Sequence, residues 1–248
     1  MREVATHPST GGGWVRRAND RPRGATEFRE VTMEIGRGGR RLRLRTVRET
    51  VGEVARTVFC VEEPWMMRNI NYVARERRGR VEPFPIQLFL PYVLGTLRDV
   101  PSERRGEGLL GSDFCYDDFR EWLPEEGHSY DLGEAAGGGV RVTGRCVSGP
   151  PLARAGHSPF HAWIDEESGF VRGIDYAGVD GRVAREFRVE ETTPIHEVLV
   201  PARMSMLDIA SGHLTAIHLE RAWIGRPIEP RLWEREFRKQ TRDYLSTL

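Results

Sequence analysis

From residue 26 onward the chain is written mostly in a period of two. Val31, Met33 and Ile35 alternate with polar residues, Gly36-Arg37-Gly38-Gly39 turns the chain, and Leu42 and Leu44 then alternate with Arg41, Arg43 and Arg45. The pattern predicts a hairpin with one apolar face and one wet, arginine-rich face. A third strand is expected over about Glu53–Val61, ending at Glu62-Glu63-Pro64. Trp65, Met66, Ile70 and Val73 fit either a short amphipathic helix or a strand. Gln87–Leu97 is strongly apolar, and Pro91 inside it marks an edge or a break between two strands, because proline cannot donate to a ladder.

After Ser129, turn signals recur about every ten residues, at Gly137–Gly139, Asp165–Gly169, Ala177–Gly181 and Ser211-Gly212. The segments between them are Val140–Val147, Phe160–Ile164, Phe170–Tyr176, Arg182–Val189, Val198–Leu207 and Leu214–Trp223. Short strands at this spacing suggest an antiparallel sandwich or barrel. Pro230–Leu248 sets Leu232, Trp233, Phe237, Tyr244 and Leu245 at roughly helical spacing, so a closing amphipathic helix is expected. Residues 1–25, rich in Gly, Pro and Arg, read as a flexible tail and leave 26–248 as one domain.

Composition narrows the class. A compact chain of 248 residues buries roughly 70–75% of its unfolded surface, so it needs neither metal nor disulfide to stand. Hydrophobic residues at 39% and charged residues at 30% exclude a multi-span membrane protein and a wholly disordered chain. The 37 basic and 37 acidic residues balance, which removes the basic excess of a dedicated nucleic-acid binder. Only Lys239 among the basic residues is lysine. High-GC codon usage produces such a bias; arginine forks that grip carboxylates or phosphates are the other reading. Cys60, Cys115 and Cys146 show no metal spacing and read as reduced thiols or at most one bridge. The start as written has no apolar signal-peptide core, so a cytoplasmic location is expected, or a periplasmic or cell-envelope one if the start is trimmed.

Few residues carry recognisable chemistry. In the block Gly111-Ser112-Asp113-Phe114, Ser112 or Asp113 is placed to cap a short helix through Phe114–Trp122, with Asp117 and Asp118 near its positive end; the functional alternative is a metal or acid/base cluster of Asp113, Asp117 and Asp118. His157 and His161 are separated by Ser158-Pro159, which breaks the helix a zinc pair would need. His213 and His218, five apart on an expected strand, point to opposite faces. No nucleophile elbow or phosphate-cradling loop occurs. No catalytic residue, metal site or cofactor is therefore expected. Arg172 shares an expected strand face with Phe170, Ile174 and Tyr176, and a cation there needs a partner. If the hairpin closes symmetrically about Ala177–Gly181, the partner is Glu186; the alternative is the headgroup of a ligand.

The block Gly111-Ser112-Asp113-Phe114-Cys115-Tyr116-Asp117-Asp118 resembles the Gly-Ser-Asp-Phe-Ser-Tyr-Glu-Asp signature of the outer-membrane lipoprotein-sorting protein family, the LolA-like carriers. Phe89–Leu94 and Val100–Arg105 upstream, and Ala162-Trp163-Ile164-Asp165, Arg172, Asp175-Tyr176 and Gly181 downstream, resemble further segments of that family in the same order. The resemblance runs loosely over residues 27–240. It implies a mainly β fold (α+β): a strongly curved antiparallel sheet forming an incomplete β-barrel, with helices plugging its mouth and a C-terminal helix. It also implies an apolar space that accepts acyl chains. Gly111, Ser112, Asp113, Phe114, Tyr116 and Asp118 carry the signature. Most members are exported, and here the sequence departs, since no export signal or lipid-attachment cysteine stands near its start.

Three functions follow as expectations. The first is non-enzymatic binding or carriage of a lipophilic small molecule or acyl chain, with Phe89, Trp163, Arg172, Tyr176, Met204, Met206 and Trp223 as candidate ligand contacts. Met204 and Met206 share a face, and methionine repacks readily around variable chains. The second is a cyclase- or hydrolase-like enzyme on a hydrophobic substrate in the same pocket. The third is an interaction module with a filled core, whose Arg41, Arg43 and Arg45 stripe meets an anionic membrane surface or a partner protein.

Overall fold

A computed structural model describes residues 8–36, 38–80, 85–93, 95–136, 138–147 and 159–248. Residues 1–7 of the expected tail, Arg37, Leu94, Gly137, His157 and Ser158 lie outside the described residues. The elements, in chain order, are a helix α1 (Gly11–Asp20) and strands β1 (Thr26–Ile35), β2 (Arg40–Val51), β3 (Val54–Glu63), β4 (Asn71–Arg77), β5 (Ile86–Leu90), β6 (Thr96–Asp99), β7 (His128–Ala136), β8 (Gly139–Cys146), β9 (Phe160–Asp165), β10 (Val171–Ala177), β11 (Val183–Ile195), β12 (Val198–Asp208) and β13 (His213–Ile224), then α2 (Thr241–Leu245).

The thirteen strands form one antiparallel sheet in the order β6-β5-β4-β3-β2-β1-β13-β12-β11-β10-β9-β8-β7, and its two end strands do not pair. Each half is a meander of neighbours in sequence, and the halves join where β1 pairs with β13. The sheet is bent. β3 and β9 stand seven places apart in the order, roughly 34 Å in a flat sheet at about 4.8 Å per strand. Yet Phe59 of β3 and Phe160 of β9 line one cavity. The result is the expected incomplete barrel.

Register sorts the side chains by face. Val31, Met33, Leu42, Leu44, Val61, Met206 and Ile217 form an inner cluster with Phe114 from the long β6–β7 connection. Phe28, Val47, Val58, Cys60 and Val73 point outward and are covered by Leu232, Phe237 and Leu245 from the C-terminal segment. The apolar break at Pro91 is as expected: β5 ends at Leu90 and the chain turns before the edge strand β6. Trp65–Met67 is a single 3-10 turn and Asn71–Arg77 is strand, which resolves the ambiguous stretch.

Four expectations need correction. Residues 8–25 are not a loose tail. Thr10 caps α1 by accepting from the Gly13 amide at 3.1 Å, and Trp14, Val15 and Ala18 bury against Val140, Val142 and Ile164. Their i, i+1, i+4 stripe was masked by the surrounding glycines and arginines. Gly11 is required there, because a Cβ would stand 2.7 Å from the Tyr130 carbonyl oxygen of β7. The C-terminal helix is mostly 3-10: Pro230–Trp233 and Arg235–Lys239 precede the short α2. The buried Arg238 guanidinium donates to the carbonyls of Leu232 at 2.5 Å and Trp233 at 3.0 Å, satisfying turn ends that a longer helix would bond internally.

The helix expected over Phe114–Trp122 is also a short 3-10 turn, Tyr116–Phe119, and it is capped by Asp118 accepting from the Cys115 amide at 2.6 Å rather than by Ser112 or Asp113. Finally, Arg172 does not pair with Glu186. Tyr176 faces Arg185 and Asp175 faces Glu186, with a bulge at Ala177. The true register differs from the symmetric one by an odd number of residues, which moves Glu186 to the opposite face. Arg172 instead reaches Asp165 at 3.3 Å, with its side chain 41% exposed.

Trp14→Ala is expected to cost about 3–5 kcal/mol, the usual penalty for emptying a buried aromatic site, and to raise amide exchange in α1 and β8. Urea titration and hydrogen-exchange mass spectrometry check this; a tail without structural role would leave both unchanged.

Candidate functional site

The inner face encloses a cavity of about 250 Å³, near the lower end of the roughly 300–1,000 Å³ common for ligand pockets. One wall is apolar: Leu44, Phe59, Phe119, Ile174, Phe187, Met204 and Ile217 among others. The other wall is charged, built from Arg21 and Arg23 after α1, Glu27 and Arg29 of β1, Arg48 of β2 and Glu121 of the β6–β7 connection. The expectation of an apolar pocket therefore describes one wall of it.

The lid over this space is the signature block. Phe114 inserts into the inner core. Ser112 donates its hydroxyl to the Leu109 carbonyl at 2.7 Å. The Asp113 carboxylate accepts from Thr215 at 2.7 Å and stands 2.6 Å from Nδ1 of His213, both on β13. Because the carboxylate sits between imidazole and hydroxyl, the three groups do not form a base-activated nucleophile. Gly111 takes a φ of +76° where the block turns, and Tyr116 packs beside Tyr72 at 6.2 Å between ring centroids. Asp118 ion-pairs with Arg185 of β11. Arg185 also donates to the Asp113 carbonyl at 2.7 Å and lies over the Tyr176 ring. Its side chain is 2% exposed and that of Asp118 5%. Burial opposes the Arg185 charge, but Asp118, with Cys115 and Tyr176, holds its pKa above the ordinary guanidinium value. Through Asp113 to β13 and Asp118 to β11 the acidic block is latched to the sheet; among the described residues no cluster of metal-ligating side chains occurs.

The charged wall is dense. Glu121, 3% exposed, ion-pairs with Arg23 and Arg48 and lies 4.0 Å from Arg21. Burial pushes its pKa up, yet Arg48, Arg23, Arg21 and Arg29 bring it below the ordinary value. Glu27 accepts from Arg29 at 2.8 Å and sits 3.7 Å from Arg48. Arg21 stacks over Phe170 at 4.8 Å. Its pKa is lowered to about 10, first by burial and next by Arg23. Glu76 on β4 accepts from the Glu121 amide, and burial raises its carboxyl to about 7.

Of the seven residues expected to contact a ligand, Tyr176 and Met204 line the cavity. Met206 shares their face but is wholly packed in the core. Arg172 stands clear of the lining, at the start of β10. Phe89, Trp163 and Trp223 are on the outer face. The guanidiniums of Arg141 and Arg188 lie over the Trp163 ring at 5.7 and 5.2 Å, Trp223 packs on Phe28 at 4.9 Å, and Phe89 borders the C-terminal segment beside Arg238. The Arg41, Arg43 and Arg45 stripe is also outside and is not bare. Arg45 bonds Glu30 at 2.9 Å and Glu62 at 3.3 Å, while Arg43 and Arg41 approach Glu30, Glu63 and Glu34 at 3.9 Å. His213 and His218 do face opposite sides, toward Asp113 and Glu34. All three cysteines are free thiols, and burial raises the pKa of Cys60 and Cys115 well above the usual range.

The model of a family described only as "Uncharacterized protein" matches residues 55–239. No curated protein matches the sequence. Among solved structures, a DUF1329 family protein from Desulfovibrio piger is similar with a TM-score of 0.82 at 15% identity, over 91% of this chain and 96% of that one. A domain assigned to the outer-membrane lipoprotein-sorting proteins, from Vibrio parahaemolyticus, gives 0.82 at 13% identity, over 92% and 98%. A LolA superfamily protein from Nitrosomonas europaea gives 0.66 at 13%, over 93% and 100%. At these identities the likeness is one of fold.

Asp118→Asn removes the carboxylate charge from the buried ion pair with Arg185 and is expected to cost about 3–5 kcal/mol. Urea titration reads the loss, and the double change Asp118→Leu with Arg185→Met should recover most of it. Glu76 gives a pH signature. Its folded pKa lies above the unfolded value, so the unfolded chain loses this proton first and stability falls as pH rises from about 4.5 to about 7. Glu76→Gln should therefore stabilise the protein at pH 8, by on the order of 2 kcal/mol, with no gain at pH 4; melting curves across that range check it.

Proposed function

We infer the function of this chain, which belongs to the family of uncharacterized proteins matched over residues 55–239, from its interior: it binds and carries a lipophilic ligand without chemistry. The observation that carries the reading is the apolar wall of Leu44, Phe59, Phe119, Ile174, Phe187, Met204 and Ile217 around about 250 Å³ of space, inside a lipoprotein-sorting fold. An acyl chain entering it gains roughly 0.8 kcal/mol per buried methylene. Reversible holding needs no covalent step. Release requires a competing apolar surface or movement of the β6–β7 lid, whose attachment through Asp113 and Asp118 is polar and local.

Met204→Trp fills the cavity from β12 without disturbing the latch. It is expected to weaken binding of a neutral fluorescent probe such as Nile red at least tenfold while leaving the melting temperature within a few degrees. Mass spectrometry of natively purified protein should find a co-purifying chain in the parent and less of it in the variant. A parent that neither co-purifies a lipophile nor binds the probe overturns the proposal.

A further inference from the structure

The charged wall of the cavity is not electrically balanced. Among the described residues, Arg21, Arg23, Arg29 and Arg48 share only Glu27 and Glu121 as contacting carboxylates, so four cations meet two anions. Every one of these side chains is mostly buried. The other acids nearby do not make up the difference. Asp117 faces Arg120, Asp118 faces Arg185, and Asp20 faces Arg78. Glu76 makes no ion pair with these four among the described residues, and burial raises its carboxyl to about 7, so at neutral pH it adds only part of a charge.

Burying surplus cations is costly unless an anion joins them. Arg21 shows the strain in its contacts: its closest carboxylate is 4.0 Å away, and it rests on the Phe170 ring and the Leu199 carbonyl at 3.4 Å. Arg29, by contrast, is held at 2.6 Å by Glu27. Guanidinium forks match carboxylate and phosphate oxygens in two parallel bonds, which a cluster of lysines would not. The same cavity continues onto apolar side chains, Phe59, Phe187 and Met204 among them.

Resting on the carrier reading above, we propose that the ligand is an anionic amphiphile, with its carboxylate or phosphate held at the Arg21, Arg29 and Arg48 wall and its chain along the apolar wall. Selection then works through both ends: the chain is desolvated, and the head supplies negative charge beyond that of Glu27 and Glu121.

Isothermal titration with sodium dodecanoate, dodecyl phosphate and dodecan-1-ol tests this, with acetate and inorganic phosphate as chainless probes. Both anionic chains are expected to bind at least tenfold more tightly than dodecan-1-ol. The variant Arg21→Gln, and separately Arg29→Gln, should lose most of that preference, the anionic chains weakening at least tenfold more than dodecan-1-ol does; the second variant keeps the test open if the first folds poorly. Equal binding of dodecan-1-ol and dodecanoate overturns the headgroup assignment and leaves the carrier reading standing. Inorganic phosphate or acetate binding as tightly as the anionic chains makes the wall a free-anion site and overturns the amphiphile. If no chain binds at all, both readings fall.

Discussion

The contact between Arg185 and Asp118 governs how the inner face of the sheet is used. A bent sheet of this size has far more inward surface than its own side chains can fill, and the connection between β6 and β7 must be drawn across it. Apolar contact through Phe114 supplies the attraction, but apolar contact has no preferred direction. The buried ion pair, with the Asp113 bonds to His213 and Thr215, fixes the position of the block over β11 and β13. Once fixed, the same connection carries Phe119 and Glu121 into the interior, so both walls of the cavity inherit their geometry from this latch.

The two walls set opposing demands. The apolar wall is at its most stable when covered by hydrocarbon, whereas the arginine wall is at its most stable with a counter-ion or water nearby. Their juxtaposition in one small space resembles an oil–water boundary turned inside out. The outer face shows how arginine behaves where such a demand is absent. There Arg41, Arg43 and Arg45 alternate with carboxylates across neighbouring strands, and the surface is close to neutral.

Much of the fold was legible in the chain. The alternation at Val31–Ile35 and Leu42–Leu44, the break at Pro91 and the regular turns after Ser129 all correspond to strand boundaries. The signature block was found because its residues are adjacent in sequence. The charged wall was missed for the opposite reason: it is assembled from α1, β1, β2 and the β6–β7 connection. A signal did exist. Extending the β1 alternation backward from Val31 puts Arg29 and Glu27 on the inner face, and pairing β1 with β2 brings Arg48 opposite Glu27. Trp163 and Trp223 were misplaced because a large apolar residue on a two-faced sheet carries no label saying which face is the interior. Register alone supplies it, and both tryptophans found cover outside, under guanidiniums and against Phe28. Arg172 shows the same sensitivity, since one bulge at Ala177 was enough to exchange its partner.

The seam between β1 and β13 has a consequence for how the molecule comes into being. Residues 36–212, 177 in all, separate the two strands that join the halves of the sheet. During synthesis the first meander emerges with β1 as a bare edge, its amides and carbonyls unpaired, and it stays so until nearly all of the sheet has left the ribosome. Such a long-range closure is slow, because the loop entropy is lost before the pairing is gained. An unprotected edge is also a template for the wrong strand, whether from a neighbouring chain or from later in its own. For a nascent chain of this topology, the hazard of misassembly is therefore concentrated in one strand and in the interval before its last neighbour arrives.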